Sequence, residues 1–118
     1  MERPDLQRIR HILVYCEEIS ELAARFGKEE EIFLRDNAYY LAVTMCILQI
    51  GELVGGLTES FKQETENRVL WTKIRGMRNI MAHQYSTVRK ERIWVTVWRD
   101  IPVLAAFCEE ILAEGGCT

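Results

Sequence analysis

Apolar residues recur at Leu6, Ile9, Leu13, Cys16, Ile19, Ala23 and Phe26, three or four positions apart, which is the stripe of an amphipathic helix. Asp5 after Pro4 is the expected N-cap of that helix and Gly27 its expected stop. The segment "KEEEIFLRDNAYY" opens with acids suited to a helix N-terminus, so a second helix is predicted from near Phe33 or Asp36 to Leu57. Apolar side chains surround most of its circumference from Tyr39 to Ile50, which places it at the centre of a bundle or between two subunits. "TESFKQETENR" has no sustained period and reads as a loop of about a dozen residues, either a lid or a flexible connection. Helical spacing resumes through Leu70, Ile74, Met77 and Met81, although Gly76 lowers the local propensity, and a turn is predicted around Ser86 and Thr87. "RKERIWVTVWRDIPVLAAFCEEILAEGG" is then one helix bent at Pro102 or two helices meeting there, with Gly115 and Gly116 as its end. Its inner stripe is Ile93, Val97, Ile101, Leu104, Phe107 or Cys108, and Ile111. The isolated β-rich stretch "IWVTVW" has no partner strand, so the fold class is all-α, an antiparallel bundle of four to five helices.

A length of 118 residues accommodates one core, and residues 1–118 are read as a single domain. With 48% apolar and 28% charged residues spread along the chain, the composition is that of a globular protein and excludes a disordered one. The run "AYYLAVTMCILQIGELVGGL" approaches membrane-spanning length, yet it contains Gln49, Glu52 and three glycines, so a buried or interfacial helix is expected and no membrane association. The first residues alternate charged and apolar positions, unlike a secretory signal. Cys16, Cys46, Cys108 and Cys117 contain no C-x-x-C pair, and free thiols in a reducing cytoplasm are expected. A formal net charge of −3 means that any contact with nucleic acid must come from a local basic patch.

The usual signatures of chemistry are missing. "IGELVGG" lacks the preceding strand and the Lys-Ser/Thr tail of a phosphate-binding loop. His11 and His83 stand apart with no cysteine pair at ligand spacing, so no metal and no cofactor are expected. There is no G-x-S-x-G elbow for a nucleophilic serine. What remains is "RGMRNIMAHQY", which concentrates Arg75, Arg78, Asn79, His83 and Tyr85 in a helix-like segment. Asn79 and His83 share a helix face, whereas Arg78 and His83 diverge by roughly 140°, a gap closed either by the flexible Arg78 swinging back or by a helix that ends near His83 and turns the ring into a cleft. A purely structural account pairs Arg78 with a carboxylate such as Glu52, has Asn79 cap a neighbouring helix, and buries His83 and Tyr85 in part. A chemical account is metal-free cleavage of RNA. That reaction needs a base for the 2′-hydroxyl proton, a cation for the crowded phosphorane, and an acid for the leaving oxygen. Histidine can move either proton, and arginine offers a charged planar fork to phosphate oxygens. One His and one Arg make half of such a site. A symmetric homodimer would supply two of each, and the apolar second helix offers a surface for it.

The segment also resembles a known family. "RNIMAH" followed by "QY" is similar to the Arg-x4-6-His signature of HEPN domains. In the form R-N-x-x-x-H-x-Y it looks like the HepT toxin group of HEPN/MNT toxin-antitoxin pairs. "IGE" at Ile50 to Glu52, "W-x-x-I-R-G-M-R-N" from Trp71 to Asn79, "IW" at Ile93 and Trp94, and "DIP-x-L" from Asp100 to Leu104 look like that group's landmarks in the same order, across nearly the whole chain. The resemblance implies an all-α HEPN bundle that dimerises, with the motifs of both protomers lining one cleft, and a metal-independent endoribonuclease toxin acting on RNA. Arg78 and His83 match its catalytic pair, and Asn79 matches the polar position that orients the site. The partner it implies is a minimal nucleotidyltransferase antitoxin that transfers AMP to the tyrosine of the motif, here Tyr85, whose bulky anion would repel RNA. Arg75 stands between an RNA or phosphate contact and ordinary surface charge. The competing readings are a non-catalytic HEPN module that binds the nucleotidyltransferase, since the fold does not fix the chemistry, and a nucleotide-binding accessory domain.

Overall fold

The computed structural model describes residues 3–84 and 87–115. Tyr85, Ser86, Gly116 and Cys117, each singled out from the sequence, lie outside them. Among the described residues there are six helices and no strand: α1 (Arg3–Phe26), α2 (Glu30–Arg35), α3 (Asn37–Gly55), α4 (Glu59–Thr65), α5 (Trp71–Gln84) and α6 (Lys90–Gly115). Four are long and build the bundle; α2 and α4 are short and close its two ends. The all-α class is therefore as the apolar period predicts.

Of the predicted α1 stripe, Ile9, Cys16, Ile19 and Ala23 are buried against α3 and α6, while Leu6, Leu13 and Phe26 are half-buried and Ile12, outside the predicted stripe, is buried instead. Gly27 ends the helix at φ 123°, a conformation costly for a side chain bearing Cβ, and its N–H bonds back to the Ala23 carbonyl at 2.9 Å. Asp5 is a correction. The helix already runs from Arg3, and Asp5 lies buried in its first turn. Its carboxylate accepts the backbone N–H of Thr58 at 2.9 Å and the Thr58 hydroxyl at 2.6 Å, so it holds the far loop rather than its own helix.

Of the two starts expected for the second helix, the structure takes Asp36: its backbone is extended and its side chain accepts the N–H groups of Ala38 and Tyr39, making it the N-cap of α3, which ends at Gly55. The acidic opening belongs to the separate helix α2, whose Phe33 is fully buried against Tyr39 and Trp94 at ring-centre distances of 5.0 and 5.2 Å. Helix α3 is long and apolar enough to cross a membrane by length and composition. Here Tyr39, Val43, Ile47, Ile50 and Val54 are buried in the shared core, while Leu41 and Met45 are exposed.

The predicted loop at residues 58–68 is corrected as well, because it contains α4. Thr58 caps it through a bond from Phe61 N–H, and Phe61 packs against Trp71 and Phe107. The Thr65 hydroxyl accepts the Trp71 indole N–H at 2.9 Å and donates to the Phe61 carbonyl. This satisfied pair fixes where α5 starts. At the other end of the chain α6 is one continuous helix that carries Pro102 inside it, at an exposed position.

Candidate functional site

Trp71, buried at the head of α5, and Met81, buried near its end, lock the rotation of that helix on the core. With the rotation set, the polar residues of the motif divide between two sides. Arg75 and Arg78 face α3. His83 and Asn79 are exposed.

The α3 surface that meets the arginines consists of Gly51, Glu52 and Gly55. A Cβ at Gly51 would lie 2.2 Å from the Arg78 Cβ, the root of the side chain, so only glycine fits there; one at Gly55 would lie 2.7 Å from the Arg75 Cζ, the tip of a flexible chain that would have to move aside. Arg75 Nη1 donates to the Gly51 carbonyl at 3.0 Å and lies 3.6 Å from Glu52 Oε1. Arg78 Nη2 forms a close ion pair with the same Glu52 oxygen, and its Nη1 donates to Asn79 Oδ1 at 3.2 Å. Among the described residues, Arg78 Nε is buried without a hydrogen-bond partner. A single carboxylate thus bridges two guanidiniums one helical turn apart.

The structure brings together Arg75, Arg78, Asn79 and Glu52. It does not bring His83 to Arg78: the helix continues to Gln84, so His83 keeps its place on the outer side, where among the described residues it makes no hydrogen bond or ion pair. The structural account of the motif is half realised. The Arg78–Glu52 pair exists, but Asn79 serves Arg78 instead of capping a helix, and His83 is exposed rather than partly buried. Glu52 is the member that sequence spacing named only as a possible counter-ion; its place in the "IGE" segment was the available signal.

Beside this cluster an open groove between α4 and α5 reaches Arg75 and Asn79 and is bordered by Lys62, Gln63 and Thr72. A separate apolar cavity of about 230 Å³ between α3, α5 and α6, floored by Ile47 and Ile50, includes none of Arg78, Asn79 or His83. Among the described residues, no three His, Cys, Asp or Glu side chains are arranged to hold a metal ion. The described cysteines are buried free thiols. Burial pushes the Cys46 thiol up to about 11, Cys108 to about 12 and Cys16 further still, so none supplies a thiolate near neutral pH.

The family profile described as "Ribonuclease HepT-like" matches residues 12–111, which contain every described element of the cluster. A protein of Caldanaerobacter subterraneus subsp. tengcongensis described as "Putative RNase" is 34% identical over 106 residues, spanning 90% of this chain and 92% of its own length. A "Probable ribonuclease HepT" of Thermococcus cleftensis is 31% identical over 102 residues, spanning 82% of this chain and 92% of its own. A "Putative RNase" of Methanocaldococcus jannaschii is 27% identical over 103 residues, spanning 87% and 83%. No solved structure matches the chain. On a match that covers most of its length, this chain belongs to the HepT-like ribonuclease family.

Proposed function

We propose that the protein is a metal-independent endoribonuclease toxin that works as a homodimer, with Arg78 and His83 of both copies lining one cleft. The observation that carries this reading is the division of α5: Arg78 is held against α3 while His83 is exposed on another side of the same helix. One copy cannot turn both groups onto one phosphate without unwinding the helix. A second copy facing the first supplies the missing half, and the exposed Leu41 and Met45 of α3 give it apolar surface to bury.

In this site a histidine acting as base takes the proton of a 2′-hydroxyl as its oxygen attacks the adjacent phosphorus. The bond to the 5′-oxygen breaks, that oxygen receives a proton from the acid, and a 2′,3′-cyclic phosphate remains. Two exposed His83 rings, one from each copy, fit the two proton-transfer roles. Arg78 uses one hydrogen on each Nη for Glu52 and Asn79, which leaves a second hydrogen on each for the equatorial phosphate oxygens. Control of the site is assigned to a nucleotidyltransferase antitoxin. The Tyr85 phenol oxygen attacks the α-phosphorus of ATP, pyrophosphate leaves, and the AMP ester next to His83 repels RNA.

The test is cleavage of RNA in EDTA by wild type, Arg78→Ala and His83→Ala. Loss in both variants is expected, with partial recovery on mixing them, since the mixed dimer holds one Arg and one His. Equal activity in all three rules the assignment out. Intact mass after co-expression with the nucleotidyltransferase is expected to rise in AMP units, a rise abolished in Tyr85→Phe. The second reading, a non-catalytic module that binds the nucleotidyltransferase, draws on the Glu52 pairing, which already neutralises part of the motif's charge. Expression without the partner separates the two: a harmless protein that cuts no RNA favours the module.

A further inference from the structure

We propose that Glu52 is a positioning residue for Arg78, setting the guanidinium at the angle from which it meets the scissile phosphate; this rests on the ribonuclease reading above. Consecutive residues of α3 act on the arginines in different ways. Gly51 gives the Arg78 stem a hollow that no other residue would leave, and its carbonyl takes Arg75. Glu52 then reaches the tips of both arginines with one oxygen.

The consequence is a guanidinium fixed at both ends. At its base, the Arg78 Cβ and Cγ fill the space that a Cβ on Gly51 would take. At its tip, Glu52 holds Nη2 and Asn79 holds Nη1. An arginine on a helix surface would normally keep all its donors in water, yet Arg78 Nε is buried and, among the described residues, unpartnered, and the Arg78 side chain is only 25% exposed. The side chain is therefore drawn inward by its partners. Glu52 also offsets the repulsion between Arg75 and Arg78, which without it would drive the two like charges apart. Holding a flexible cation in the attack geometry before substrate arrives is where an enzyme gains rate, and a displacement of about 1 Å costs on the order of 100-fold. An uncharged side chain at position 52 would leave the charge of Arg78 in place but release its angle.

The opposite role is also physically available, and the two differ in sign. If Glu52 were only a counter-ion that RNA must displace, neutralising it would free Arg78 and strengthen binding. The deciding experiment measures kcat and KM for cleavage of a mixed-sequence single-stranded RNA oligonucleotide in EDTA by wild type, Glu52→Gln, Glu52→Asp, Arg78→Ala and the Glu52→Gln/Arg78→Ala double variant. The expected result is a fall of about 10- to 100-fold in kcat for Glu52→Gln with KM changed less than about 3-fold, and partial recovery of kcat in Glu52→Asp. In the Arg78→Ala background the Glu52→Gln change is expected to cost nothing more, because its effect runs through Arg78. The Arg78–Glu52 pair makes any stability shift from Glu52→Gln differ between the two backgrounds, so each kcat is corrected for the folded fraction measured by urea unfolding of the same variant. Unchanged or higher kcat in Glu52→Gln, a lower KM, or an equal loss in both backgrounds would overturn the inference while leaving the ribonuclease reading intact. A wild type that cleaves no RNA overturns the ribonuclease reading and this inference with it.

Discussion

Gly51 lies directly under Arg78, so close that a methyl group on Gly51 would overlap the arginine Cβ at 2.2 Å. The atom met is the root of the side chain, which cannot swing aside without moving α5. Gly51→Ala is therefore expected to push α5 off α3. The cost is about 1 to 3 kcal/mol in unfolding free energy, typical of overpacking a filled site. Denaturant unfolding measures the first effect and RNA cleavage the second, and cleavage is expected to fall by more than the loss of folded protein explains. Retention of both would mean the two helices have slack at this contact.

Asp5 and Thr58 are 53 positions apart, and their two hydrogen bonds tie the first turn of α1 to the cap of α4. Removing the carboxylate leaves a half-buried Thr58 N–H and hydroxyl to find other partners. Asp5→Ala is expected to destabilise the fold by about 1.5 to 3 kcal/mol, the range for hydrogen bonds to a charged group. Thr58→Val should lose most of the same energy, and the double variant little more than either. A fully additive pair would show that the contact is not a coupled unit.

Those two pairs also show what could be read from the chain and what could not. Helices α1 and α6 were legible because each carries its own apolar period over six or more turns, and α3 because its apolar residues run around most of the helix for about five turns. Helix α4 was not. Its anchor is the single Phe61, and the rings that hold it, Trp71 and Phe107, come from other helices. Asp5 next to Pro4 satisfied a local capping rule, while its actual partner sits in another part of the chain. At the site, spacing named Glu52 as a partner for the arginine but left open whether Arg78 and His83 meet. It could not show that Gly51 and Gly55 are hollows for the two arginines, because close approach between helices has no local signature.

The buried thiols give the protein an alkaline limit. Burial raises Cys46 from 9.0 to about 11 and Cys108 from 9.0 to about 12, so the folded state keeps both protonated where the unfolded chain ionises. A raised folded pKa means that the contribution is complete below the unfolded value and is lost as pH rises through the folded one. Stability is therefore expected to be flat with respect to these groups below pH 9 and to fall from pH 9 toward 11 and 12. Comparing urea unfolding of wild type and Cys46→Ala across that window measures it, with a shallower slope expected in the variant. Identical slopes would show that this thiol does not titrate with folding.

Arg75 poses the last distinction, between a contact to RNA and a brace within the chain. Its guanidinium rests where Gly55 has no side chain, donates to the Gly51 carbonyl at 3.0 Å and approaches Glu52, three contacts that all lie on α3. A group so committed is expected to act on the α3–α5 packing rather than on phosphate. Because the side chain is 40% exposed, solvent screening limits the loss in Arg75→Ala to about 1 kcal/mol or less. The discriminating quantity is the salt dependence of RNA binding, measured in a His83→Ala background so that the strand stays whole. Each phosphate contact to a single strand adds about 0.7 to the slope of log K against log salt. A brace leaves that slope unchanged on substitution, whereas a direct phosphate ligand lowers it by about 0.7. The first outcome is expected for Arg75, and the second for Arg78→Ala in the same assay, whose remaining Nη hydrogens are the ones free to meet the strand.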